Sequence, residues 1–206
     1  MKFVNELTER YPALLPIKND VSSAVEKIVS SYKAGGKVLL CGNGGSASDS
    51  DHIAGELLKG FLSKRTPVGE ELVSLTSALS EDGAKLQRGV PAIPLPQLSG
   101  VLSAFANDVD PSLVYAQLVY ALGKKEDVLI ALSTSGNSVN ALKAAKCAKA
   151  LGITVISLTG ETGGALLGVS DICLRAPEKE TFKVQEYHLP IYHAICAEVE
   201  NILFGE

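Results

Sequence analysis

Tryptophan is absent, and six tyrosines and five phenylalanines are all the aromatic residues in 206 positions. Single-stranded nucleic acid is held largely on aromatic stacking platforms, so little is available to build one. Basic residues are also in deficit. Nineteen Lys and Arg against twenty-three Asp and Glu leave a net charge of −4, which offers no positive field to a polyanion. The two shortages together exclude a nucleic-acid-binding role from the leading readings. Long apolar runs are missing, and no window approaches the roughly 18 to 20 residues of a membrane-spanning helix. The opening MKFVNELTERYP alternates charged and apolar residues where a secretory leader needs an unbroken apolar stretch. A cytoplasmic protein without membrane contact is therefore expected. Cysteine is sparse: Cys41, Cys147, Cys173 and Cys196 lie far apart with no C-x-x-C pair. Neither a disulfide framework nor a thiolate zinc site is indicated, and free, buried thiols are expected.

What is present describes a globular chain, with 46% hydrophobic and 20% charged residues and a length suited to a single domain spanning 1–206. Val21, Val25, Ile28 and Val29 recur at helical spacing and predict a helix that ends at Ala34-Gly35-Gly36. Five short apolar runs follow, at 37–41, 91–95, 127–132, 153–158 and 171–174, each suited to a strand buried on both faces. Helical patterns separate most of them, at 47–61, 111–122 and 137–151. This alternation predicts an α/β fold, a doubly wound five-stranded parallel sheet of flavodoxin-like type with right-handed crossovers. Asp127 and Asp171 read as residues that introduce strands. Residues 63–90 carry no strand-like run and are expected to form an insertion, with a short helix over 70–79. From Thr181 to Phe204 the apolar periodicity predicts a long closing helix, kinked at Pro190.

In an open parallel sheet ligands settle beyond the carboxyl ends of the strands. The first such loop is Gly42-Asn43-Gly44-Gly45-Ser46, where the backbone can approach a ligand closely and a helix N-terminus favours an anion. With Ala47 it formally matches G-x-G-x-x-A. A dinucleotide site needs an acid at the end of the next strand, about 20 residues on, and here that strand comes some fifty residues later. No Lys and Ser/Thr follow the glycines as a Walker A loop requires. A tight strand-to-helix turn without a ligand is the plain alternative. The second loop, Ser133-Thr134-Ser135-Gly136-Asn137-Ser138, places four hydroxyls at another strand-to-helix junction. One hydroxyl suffices for a helix cap, whereas several beside free N–H groups suit a phosphate monoester. Two such loops suggest a phosphorylated polyol, its phosphate in one cradle and its hydroxyls in the other.

These segments, GNGGSA after a strand, Asn107-Asp108 after a helix, STSGNS, Leu158-Thr159-Gly160, and Gln185-Glu186 followed by His188 and His193, resemble the sugar isomerase (SIS) fold. Within it they are similar to the sedoheptulose 7-phosphate isomerase, or phosphoheptose isomerase, family. The likeness runs from about Lys37 to the C-terminus and leaves out the insertion. It implies zinc held by His52, Glu56, Gln185 and His193, with Glu56 as base and His193 as acid in an aldose–ketose isomerisation through an enediol(ate). It also implies substrate contacts at Asn43, Gly44, Gly45, Ser46, Glu56, Asn107, Asp108, Ser133, Thr134, Ser135, Ser138 and Gln185, and sites at the subunit interfaces of a homotetramer. Lys183 departs from the family, which usually has arginine before the aliphatic-Gln-Glu run.

Helix geometry bears on these assignments. His52 and Glu56 are four apart, on one face and about 6 Å apart along the axis, so they can converge on one ion or substrate. Gln185 and His193 are about 12 Å apart along a straight helix and differ in direction by about 80°. Convergence of that pair calls for a bend at Pro190 or for ligands from different subunits. His188 faces about 140° away from His193 and is expected to be a packed or partly exposed side chain without a role in the site. Two rival readings remain open, an isomerase of another phosphosugar and a non-catalytic SIS regulator resembling the DnaA initiator-associating protein. That relative lacks counterparts of Glu56 and His193, which this chain has.

Overall fold

A computed structural model describes residues 1–205. Two helices, α1 (Lys2–Arg10) and α2 (Lys18–Lys33), precede β1 (Val38–Cys41) and α3 (Gly45–Leu58). Then come α4 (Gly69–Leu79), β2 (Ala92–Pro94), α5 (Ser99–Asp108), α6 (Val114–Leu122), β3 (Val128–Leu132), α7 (Val139–Ala150), β4 (Thr154–Thr159), β5 (Ile172–Arg175) and α8 (Thr181–Phe204). All strand pairs are parallel and the sheet order is β2-β1-β3-β4-β5. This is the doubly wound arrangement expected, and the order reverses between β1 and β3.

Strand alternation divides the core into two layers. Val38 and Leu40 of β1, with Val128, Ile130 and Leu132 of β3, face α1, α2, α3 and α8. Leu39 and Cys41, with Leu129 and Ala131, face α6 and α7. Successive side chains on a strand point to opposite faces, so a run such as Val-Leu-Leu-Cys must be apolar throughout when helices cover both sides. Cys41 and Cys196 are buried and burial pushes both thiols up to about 12, which leaves them protonated packing groups. The four cysteines are all free.

Aspartates pin the strand starts. The Asp127 carboxylate accepts from the Lys37 and Lys124 N–H groups, at 2.9 and 2.7 Å, and from Lys37 Nζ at 2.7 Å, joining the entrances of β1 and β3. Asp171 accepts from Val155 N at 2.8 Å and does the same for β4 and β5. Helix α8 runs unbroken through Pro190 for 24 residues, most of its second half buried against α1, α2 and α3. The ring removes only one N–H, whose acceptor is the carbonyl at exposed Glu186.

Residues 66–87 stand off the sheet. Arg88 N donates to Arg65 O at 2.8 Å, closing the neck of this excursion, and only Pro67 and Gly83 within it are buried. Its helix, α4, packs mainly on the neighbouring 3-10 segment Ser80–Lys85 and buries none of its residues. Among the described residues no helix is long and apolar enough to cross a membrane.

Candidate active site

The reversal of strand order puts the loop after β1 beside the loop after β3, at the sheet edge where ligands settle. A reciprocal pair of side-chain amides bridges them, with Asn43 and Asn140 each donating to the other at 2.9 Å. Tyr115 donates to Gly42 O at 2.6 Å and fixes the first loop from below. Gly44 has φ +55 and ψ −122 just before α3, a conformation that a side chain strongly disfavours. At Gly45 a Cβ would collide with the Gln185 amide nitrogen, so the absence of a side chain lets that carboxamide lie directly on the loop. Ser46 is buried one residue into α3.

In the second loop the Ser133 and Ser138 hydroxyls lie 2.9 Å apart, and Ser135 Oγ accepts from Asn137 N at 3.2 Å. Ser135 is exposed and Thr134 half-buried. Asn137 Oδ1 accepts from Ala165 N at 2.9 Å, which ties the loop to the segment after β4. Asn107 and Asp108, at the end of α5, are exposed and hydrogen-bonded to each other at 2.8 Å.

Three of the predicted ligands meet. His52 Nε2 lies 3.1 Å from Glu56 Oε1 and 3.5 Å from His193 Nε2, and one ligand atom from each residue falls within 4.8 Å of the others. Packing of α3 against α8 brings these three side chains together within one chain. Gln185, the fourth, is placed by its contact with Gly45 at the adjoining glycine loop. Two ligands about 2.0–2.1 Å from a tetrahedral zinc stand about 3.3–3.4 Å apart, close to the 3.1 and 3.5 Å that separate His52 Nε2 from its two neighbours, and imidazole with carboxylate is a donor set that zinc accepts. The other oxygen of Glu56, Oε2, points toward Lys59 Nζ at 3.9 Å. Burial lowers the pKa of His193, the neighbouring His52 lowers it further, and Glu56 partly offsets both. His193 is thereby held toward the neutral form, which can take up a proton or bind a metal. Phe61 stacks obliquely on it, with centroids 5.5 Å apart. Beside His193 a cavity of about 310 Å³ opens between α1 and α8, lined by Phe3, Leu7, Phe61, Leu189 and Pro190 among others.

Several residues around this cluster were not among the predicted ones. Tyr192, next to His193, puts its hydroxyl 3.0 Å from His52 Nδ1 and donates to Asp49 Oδ1 at 3.2 Å. Asp49 precedes His52 by three residues and so shares its face of α3, a spacing visible in the sequence. Arg65 and Glu200 carry no local signal of a role, because they lie 135 positions apart. The buried guanidinium of Arg65 donates to Glu200 Oε1 at 2.6 Å and to the carbonyls of Leu57 and Glu56 at 2.6 and 2.9 Å. Glu200 in turn accepts from the N–H groups of Phe61, Leu62 and Ser63. The clip fastens the end of α3, which carries Glu56, to α8, which carries His193. His188, as expected, is fully buried away from the cluster, with Nε2 3.3 Å from Thr159 O and its pKa pushed down by burial to about 4.

Comparison with known proteins places the chain in a family. The family model described as SIS domain matches residues 2–93 and 88–160. A phosphoheptose isomerase of Clostridium acetobutylicum is 41% identical over 186 residues, covering 90% of this chain and 84% of the relative. The structure of phosphoheptose isomerase from Neisseria gonorrhoeae superposes with a TM-score of 0.75 at 29% identity, covering 96% of this chain and 93% of that one. That of a phosphoheptose isomerase from Francisella tularensis gives 0.75 at 30% identity, covering 97% and 95%. The chain belongs to the phosphoheptose isomerase family of SIS-domain proteins.

Proposed function

We propose that this protein interconverts sedoheptulose 7-phosphate and D-glycero-D-manno-heptose 7-phosphate, with Glu56 and His193 as its proton-transfer pair. The observation that carries the reading is the meeting of a carboxylate and two imidazoles, at 3.1 and 3.5 Å, on helices that border two phosphate-type loops. Ketose–aldose conversion moves a proton between adjacent carbons while the oxygens exchange theirs, so it needs a base at carbon and an acid at oxygen within hydrogen-bond reach. With Glu56 Oε1 engaged by His52 Nε2, Oε2 is the oxygen for the carbon-bound proton. His193, biased toward neutrality by burial, shuttles the proton at the sugar oxygens. Zinc, held by His52, Glu56, His193 and Gln185, would when bound polarise the carbonyl and stabilise the developing enediolate.

Ser133, Thr134, Ser135 and Ser138, with the N-terminus of α7, receive the phosphate. Asn43, Gly44, Gly45 and Ser46, together with Asn107, Asp108 and the Gln185 carboxamide, receive the sugar hydroxyls. Binding energy collected at the phosphate positions the reacting carbons and is expressed in turnover as well as affinity. A cytoplasmic homotetramer with the sites near subunit interfaces completes the reading. The test is incubation of the purified protein with a panel of ketose phosphates, with and without added zinc, followed by detection of aldose product. The heptulose phosphate is expected to react fastest. Glu56→Gln is expected to lose about 10²- to 10⁴-fold in turnover while retaining its fold and sugar-phosphate binding. Undiminished turnover in that variant would refute the role of Glu56, and absence of product from every sugar would leave a binding protein.

A further inference from the structure

The geometry points to Asp49 and Tyr192 as positioning residues that hold the Nδ1 proton of His52, so that Nε2 is the nitrogen turned to the ligand cluster. The inference rests on the reading of His52 as a metal ligand. Three atoms form the chain: Asp49 Oδ1, the Tyr192 hydroxyl 3.2 Å away, and His52 Nδ1 3.0 Å beyond the hydroxyl. A phenol has a single proton to donate, and a carboxylate can only accept. If the phenol donated to Nδ1, its oxygen would face the Asp49 oxygen with lone pair against lone pair. Both contacts become favourable in one arrangement only, Nδ1–H to the phenol oxygen and the phenol proton to Asp49. The opposite ring nitrogen, Nε2, is the one that faces Glu56 and His193.

The surroundings hold the relay in place. Tyr192 is 2% exposed, its ring packed in the core and edge-on to His52 with centroids 5.4 Å apart, which holds its hydroxyl at Asp49 and His52. Asp49 and His52 stand three apart on α3, and Tyr192 comes from α8, so the relay forms only when the two ligand-bearing helices are docked. A metal-binding imidazole needs its second nitrogen anchored as a donor, because that bond fixes both tautomer and ring orientation. Tyr192 supplies the anchor, and Asp49 sets the direction in which Tyr192 donates.

The chain has only three histidines, which makes the ring nitrogens of His52 assignable by long-range proton–nitrogen correlation spectra. In the zinc-free protein at about pH 8.5 His52 is expected to carry its proton on Nδ1, and Tyr192→Phe is expected to shift it to Nε2. Zinc affinity, read by competition with a chromophoric chelator, is expected to fall about 10- to 100-fold in Tyr192→Phe and in Asp49→Ala. The double variant is expected to be no weaker than the worse single one, since both break one chain. Should Tyr192→Phe fail to fold, the half-buried Asp49→Ala carries the same two measurements. An unchanged tautomer with unchanged affinity, or fully additive losses, would overturn the relay. A wild-type protein that binds no zinc, together with the tautomer shift in Tyr192→Phe, would uphold the relay while sinking the metal reading.

Discussion

Replacing Arg65 by Met tests whether the clip between α3 and α8 sets the geometry of the site. The Arg65 side chain is fully buried and donates to three acceptors, while Glu200, 4% exposed at its side chain, keeps three backbone donors after the change. Removal of one partner from a buried ion pair costs about 3–5 kcal/mol. The surviving N–H bonds to Glu200 hold the cost toward the lower part of that range. The Leu57 carbonyl keeps its bond from Val90 N at 2.8 Å, but loss of the donor to the Glu56 carbonyl, worth about 1–3 kcal/mol, raises it again. A destabilisation of about 3–4 kcal/mol follows, which for a chain of this length lowers Tm by roughly 6–16 °C. Urea denaturation at one fixed protein concentration measures it, and fixed concentration keeps any subunit association constant. Turnover is expected to fall too, because Glu56 loses the anchor at its backbone carbonyl. Arg65→Lys, which keeps the charge but not the fork, is expected to lie between the two. A loss below about 1 kcal/mol with normal turnover would refute the clip as the determinant of helix register.

Two further perturbations address other parts of the molecule. In the folded chain His188 binds a proton only near pH 4, whereas an unfolded imidazole does so near 6.5, so the unfolded state takes up more protons between those values. Stability from this group is therefore complete above about pH 6.5 and is lost as pH falls, by about 3 kcal/mol in all. His188→Gln is expected to flatten that segment of a denaturation-versus-pH profile, and parallel profiles for the two proteins would refute the assignment. The neck at Arg65 and Arg88 predicts that residues 67–86 can be replaced by two glycines, since their side chains contribute almost nothing to the core. The trimmed chain is expected to melt within about 5 °C of the parent; a larger loss in a thermal scan would mean that this excursion stabilises the sheet.

The sequence by itself determined the α/β alternation, the five strands and the glycine and hydroxyl loops that follow two of them. Those features are written in short-range patterns: continuous apolar runs for strands buried on both faces, glycine and hydroxyl clusters at strand ends, and the four-residue spacing of His52 and Glu56. Helix α1 escaped notice because its buried pair, Val4 and Leu7, spans only one turn and too short a stretch to establish a period. Docking of α3 on α8 is what brings His193 to His52 and Glu56. Only the tertiary structure decided that Tyr192 and Asp49 back His52, that Gln185 rests on Gly45, and that Arg65 and Glu200 clamp the two helices. Each of these depends on the relative rotation of packed helices, which arises from side-chain packing between segments more than a hundred residues apart and leaves no trace in local periodicity.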